Sequence, residues 1–156
     1  MKHIISILVE DQFGAMARVV ELFTSRGYNL DSVCTGESEK AGVHRMTLVT
    51  GGDDQKIKKI LKLLKNIVYV LEVKLLEPAQ TVSLELMVIK IKAGTGKRPQ
   101  ILTLMQAYKG NLIEMNHDFI TFETTGSASK LDGVAEVFSD FEIVEMARTG
   151  EAAIHK

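Results

Sequence analysis

The strongest constraint on this chain is a change of hydrophobic period that occurs in a fixed order, and occurs twice. His3-Ile-Ile-Ser-Ile-Leu-Val9 is a β-branched run suited to a buried strand. Phe13, Met16, Val19, Val20 and Phe23 then recur at helical spacing, with Gly27 placed to end the helix, which predicts an amphipathic helix over about 14–26. Strand-like composition returns over 28–35 and 44–50 around the polar Glu37–Gly42 segment, a hairpin pattern. Asp53 and Asp54 can cap a second helix with Ile57, Ile60, Leu61 and Leu64 on one face and five lysines around the rest. A strand over 68–75 completes β-α-β-β-α-β, and Glu77-Pro-Ala-Gln80 breaks the pattern.

The same order then recurs with little side-chain identity: a strand over 82–92, a helix over 98–107, a hairpin of 110–116 and 119–125 turning at Asn116-His-Asp118, a helix over 127–138 and a strand over 142–149. Each copy is the ferredoxin-like unit, two helices on one face of a four-stranded antiparallel sheet. The expected fold is therefore α+β, two such domains over 1–77 and 82–156. A domain this small leaves one sheet face without helices of its own, so an exposed apolar face and oligomerisation are expected.

Composition removes several function classes. Nineteen Lys and Arg against twenty Asp and Glu give a formal charge of −1, without the basic surplus that draws phosphate backbones. No apolar run approaches the roughly 20 residues of a membrane helix, and no secretory signal pattern opens the chain, so a cytoplasmic location is expected. The one cysteine, Cys34, precludes an intrachain disulfide and reads as a buried structural thiol. None of the four histidines has a second ligand at i+2 or i+4, so no metal site is expected. Gly94-Thr-Gly-Lys97 lacks the first glycine of a phosphate loop, Ile91 standing there, and reads as a turn.

No catalytic constellation emerges. An acyl-phosphate hydrolase on this fold would need cations in the first strand-to-helix loop, and residues 10–17 carry none. An RNA-binding sheet would need aromatics on its central strands, and the first and third strands have none. The informative segment is Val9-Glu-Asp-Gln-Phe-Gly-Ala-Met-Ala-Arg18. A strand ends and Gly14 stands where a helix begins, leaving backbone N–H groups at the positive end of the dipole. The small residues Gly14, Ala15 and Ala17 admit a close ligand, and an α-carboxylate is one anion such a site can take; a capped helix start with no ligand is the plainer alternative. Asn29, after the expected glycine cap at Gly27, reads on its own as a local turn.

Glu10-Asp-Gln-Phe-Gly-Ala-Met-Ala-Arg-Val19 followed by Phe23-Thr-Ser-Arg-Gly-Tyr-Asn-Leu-Asp-Ser32 resembles the N-terminal ACT domain of the acetohydroxyacid synthase (acetolactate synthase) regulatory, or small, subunit. The likeness continues through Arg45–Val49, Leu64–Val73, Glu85–Ile91, Gly126–Asp132 and Ile143–Gly150, covering essentially the whole chain. The resemblance implies a chain without catalytic residues that activates a large subunit and conveys feedback inhibition by valine in branched-chain amino acid biosynthesis. It implies ACT domains paired as a homodimer with the effector at their interface. Carried over residue by residue, Gly14 and Ala15 offer N–H groups to the valine carboxylate, Asn29 from the partner protomer holds the amino acid, and Leu30 lines the aliphatic side. The family usually has Asn at the position of Asp11; an ionised Asp only accepts, so it suits the ligand ammonium and repels its carboxylate. Valine binding with altered affinity is the expectation. Thiamine diphosphate, magnesium and FAD are implied only for the catalytic subunit.

Overall fold

The structure, a computed structural model, describes residues 2–94 and 96–156. By backbone contacts the chain divides into one unit of residues 1–83 and 151–156 and a second of 84–150. The elements of the first are β1 (Lys2–Glu10), α1 (Ala15–Ser25), β2 (Ser32–Glu37), β3 (Val43–Gly51), α2 (Asp54–Leu64) and β4 (Val70–Leu76). The strands form an antiparallel sheet in the order β2-β3-β1-β4. A short 3-10 turn at Pro78–Gln80 leads into β5 (Thr81–Lys92).

Alternation along β1 and β3 decides which side chains meet the helices. Ile5 opposes Leu48 and Ile7 opposes Met46, and all four are buried against Ala15, Val19 and Phe23 of α1 and Ile57, Ile60 and Leu64 of α2. The helix α2 starts as its acids predict, the Asp53 carboxylate accepting from the Lys56 N–H at 2.7 Å. In α1 the buried stripe is Ala15, Val19 and Phe23, whereas Phe13, Met16 and Val20, expected in the same core stripe, point outward. Phe13 is fully exposed, and Met16 and Val20 are exposed beside it.

The other face of this sheet differs from the expectation of a bare apolar surface. Ser6, Leu8, Thr47, Val49 and Leu76 on it are all buried. A strand absent from the sequence reading, β9 (Ala152–His155), lies against β1 and β3 there. Ala153 is buried and its N–H donates to the Thr47 hydroxyl at 3.3 Å. The Lys156 N–H donates to the Gln80 carbonyl at 2.9 Å. The boundary expected for a second domain over 82–156 therefore moves: its last six residues cluster with the first unit, because they cover apolar surface that unit leaves open.

The second unit contains the remainder of β5, α3 (Arg98–Ala107), β6 (Asn111–Met115), β7 (Phe119–Gly126), α4 (Ala128–Phe138) and β8 (Ile143–Arg148), with strand order β6-β7-β5-β8. Met87, Ile89 and Ile91 meet Ile120 and Phe122 across the sheet and Ile101, Leu131, Val134 and Phe138 from the helices. The expected turn at 116–118 is built by the Asn116 side chain, which accepts from the Asp118 and Phe119 N–H groups at 3.0 Å each. Arg148 donates to both oxygens of the buried Glu85, at 3.0 and 2.6 Å, and to Asp132 at 2.6 Å. The Glu85 carboxylate, with Asp132 behind it, holds the Arg148 guanidinium still more firmly protonated than usual.

Cys34 is half-buried on the edge strand β2 rather than enclosed, since an edge strand has a neighbour on one side only. The Gly94–Lys97 turn includes Thr95, which lies outside the described residues; Lys97 stacks its ammonium over the Phe141 ring at 5.9 Å.

Candidate functional site

The turn joining β1 to α1 borders a concavity of about 300 Å³, lined by 9–17 and His44. It follows from the local sequence. The Asp11 N–H donates to the Gly42 carbonyl at 2.8 Å, which ends β1 against the β2–β3 loop. Gly14 then adopts φ 79° and ψ −1°, a left-handed conformation that a side chain would strain, and no side chain caps the helix that follows. An ideal Cβ on Gly14 would have nothing within 4 Å, so the glycine is required by its backbone angle and not by crowding.

The N–H groups divide unequally. That of Ala15, expected to face a ligand, donates instead to the Gln12 carbonyl at 3.0 Å, because the chain must close a tight turn before the helix can start. Among the described residues no backbone acceptor is placed for the N–H groups of Gly14, Met16 and Ala17. These are the orphan donors of a helix N-terminus, at the positive end of its dipole. Ala15 itself is buried beneath them and gives the concavity an apolar floor with Val9.

Asp11 lies on the rim, its side chain 64% exposed, with a carboxylate oxygen 3.9 Å from Nδ1 of His44. Reading the sequence did not find His44. It is half-buried and directly opposite Val9 in the β1–β3 ladder, so the antiparallel order of these strands brings the start of β3 to the end of β1. That register was the available signal.

The structure thus brings Asp11, Gly14 and Ala15 together and leaves Asn29 and Leu30 elsewhere in the protomer. Those two follow the other end of α1, which at 11 residues spans about 16 Å. Asn29 is exposed, its side-chain amide donating to Asp31 at 3.0 Å while its backbone carbonyl accepts from the Thr50 hydroxyl at 2.6 Å. Leu30 is half-buried against the first unit's core. Among the described residues no group of three or more His, Cys, Asp or Glu is arranged to hold a metal ion, and no helix is long and apolar enough to cross a membrane.

Comparison with known proteins gives this geometry a family. Residues 5–72 match the model of the AHAS small subunit-like ACT domain, and residues 84–156 match that of the small subunit of acetolactate synthase. The chain is 39% identical to the probable acetolactate synthase small subunit of Methanothermobacter thermautotrophicus, over 99% of this chain and 92% of that protein. It is 33% identical to the acetolactate synthase small subunit of Mycobacterium bovis with the same coverage. The crystal structure of the small subunit from Thermotoga maritima superposes with a TM-score of 0.94 at 30% identity, covering 100% of this chain and 98% of that one. With both halves matched and the fold shared end to end, the chain belongs to the acetolactate synthase small subunit family, its first unit being an ACT domain.

Proposed function

We propose that this chain is a non-catalytic regulatory subunit that binds the large subunit of acetolactate synthase in the cytoplasm, raises its activity and conveys feedback inhibition by valine. Thiamine diphosphate, magnesium and FAD belong, in this reading, to the large subunit. The observation that carries the effector site is the set of unpaired N–H groups at Gly14, Met16 and Ala17 above an apolar floor, in a chain of this family. A valine carboxylate accepts from those donors at the positive end of α1. Its ammonium meets the carboxylate of Asp11 on the rim, and its isopropyl group rests toward Val9 and Ala15.

Asn29 and Leu30 enter from a second protomer. Their distance from the concavity within one protomer is accounted for by a homodimer, and two features support one. Phe13 in the turn before α1 and Met16 and Val20 on the helix form an outward apolar stripe, and β2 is a sheet edge. Valine held across that interface favours one dimer arrangement over another, and it inhibits only to the extent that it binds the two with different affinity.

Isothermal titration of valine into the purified chain tests the site. Heat is expected for the natural chain, and Asp11→Asn changes the affinity by removing one charge from the rim. An absence of heat from both at millimolar valine refutes the reading.

A further inference from the structure

The sheet of the first unit has two edges. A dimer formed through β2 does not use the opposite edge, β4. At that edge a groove of about 320 Å³ runs between the end of α2 and β4, lined by Lys65, Val70, Leu71, Glu72 and Val73.

Two backbone irregularities shape it. The register of β4 on β1 slips between Leu8 and Val9, which pair with Glu72 and Val70, so Leu71 is a bulged residue without a cross-strand partner. Two residues before it, Tyr69 holds φ 77°, uncommon for a bulky side chain, with the Arg18 guanidinium 5.6 Å from the centre of its ring. Large apolar side chains stand in solvent on either side of Tyr69: Leu71, in the groove, is 53% exposed, and Val68, just before Tyr69, is 58% exposed. Strain and exposed apolar surface in one place are features retained at functional sites.

Lys58, Lys62 and Lys65 are spaced i, i+4 and i+7, so they share one flank of α2, and Lys65 opens into the groove. On the other flank Lys56 stacks on Tyr28 at 5.1 Å. Among the described residues Lys58, Lys62 and Lys65 have no carboxylate within ion-pair distance, while the one acid in the groove, Glu72, is taken by Lys74. An apolar pair beside a row of uncompensated cations matches a surface that is apolar at its centre and acidic at its rim.

We propose that the α2–β4 groove is the docking surface for an acidic, apolar-centred patch on the large catalytic subunit. This rests on the regulatory reading above and adds which face meets the partner. The face lies away from the β2 edge, so large-subunit binding and effector-bound dimerisation are compatible.

The test uses the full chain and the intact large subunit. Association and acetolactate formation are measured at low and high salt for the natural chain, K58E/K62E/K65E, and V68S/L71S, with valine titration and sedimentation on each. The lysine variant is expected to lose roughly ten- to a hundredfold in affinity for the large subunit and most of the salt dependence. The apolar variant is expected to lose affinity with salt dependence retained. Both keep valine binding and the dimer. The inference is overturned if the lysine variant associates within about twofold of the natural chain, or if either variant changes the homodimer, which assigns the groove to a second copy. A natural chain that binds valine and fails to associate with the large subunit removes the partner and overturns both readings.

Discussion

Replacing Arg148 with Met tests whether the second unit depends on one buried ion pair. Glu85 is 6% exposed and accepts two hydrogen bonds from Arg148 and a third from the Gly150 N–H at 3.1 Å. The substitution leaves that carboxylate with the Gly150 donor alone. Removing one partner of a buried pair costs about 3–5 kcal/mol. The Arg148 side chain is 27% exposed, so water compensates in part and the expected cost lies near the low end, about 3 kcal/mol. Loss of the exposed Asp132 contact adds less than about 1 kcal/mol. Glu85→Leu with Arg148→Met removes both charges and should recover part of the loss: an apolar pair of similar size avoids the desolvation of either ion, while the buried Gly150 N–H loses its acceptor. Hydrogen exchange read on β5 and β8 isolates the effect to this unit. Exchange there should speed roughly a hundredfold in the single variant and far less in the double. A single variant costing under about 1 kcal/mol, or a double variant worse than either single, refutes the assignment of Glu85 as a carboxylate that needs its arginine.

Other consequences are more local. Gly14→Ala should cost about 1 kcal/mol through its left-handed backbone alone, with Gly14→Asn closer to the natural chain; equal melting temperatures for all three contradict this. Thr47→Val deprives the buried Ala153 N–H of its acceptor, so exchange across 151–156 should accelerate roughly tenfold while the second unit is unaffected. The Glu39 carboxyl is held below its ordinary value, first by its own backbone N–H and then by a paired contact from Arg45 at 3.1 Å. A lowered folded value stabilises above the unfolded one and fades as pH falls through the folded one, so this contribution disappears in acid below the ordinary glutamate range. In a carbon-detected titration Arg45→Gln should raise the Glu39 midpoint; an unmoved midpoint contradicts the pairing.

Much of the fold was legible because burial imposes periods that a sequence displays. The strand around Ile5 is a continuous apolar run, those around Ile89 and Phe122 alternate, and α2 and α4 carry both a buried stripe and an N-cap, at Asp53 and Ser127. What stayed hidden depends on partners far along the chain. Along α1 the stripe Ala15, Val19, Phe23 and the stripe Phe13, Met16, Val20 have equally good helical spacing, and only the position of the sheet selects the first. Strand β9 is four residues without alternation, recognisable only beside the open face it covers. Of the candidate site, the helix start at Gly14 was legible from a glycine and small neighbours. The loss of the Ala15 donor to Gln12 and the approach of His44 were not, since one is a turn closure and the other a cross-strand register.

A regulatory chain that leaves the chemistry to its partner acts only through that partner. Titrating the purified chain into its cognate large subunit, and following acetolactate formation with and without valine, tests this most directly. The rate is expected to rise to a plateau at stoichiometric addition and to fall again when valine is added. A rate unchanged by the chain at stoichiometric addition contradicts it.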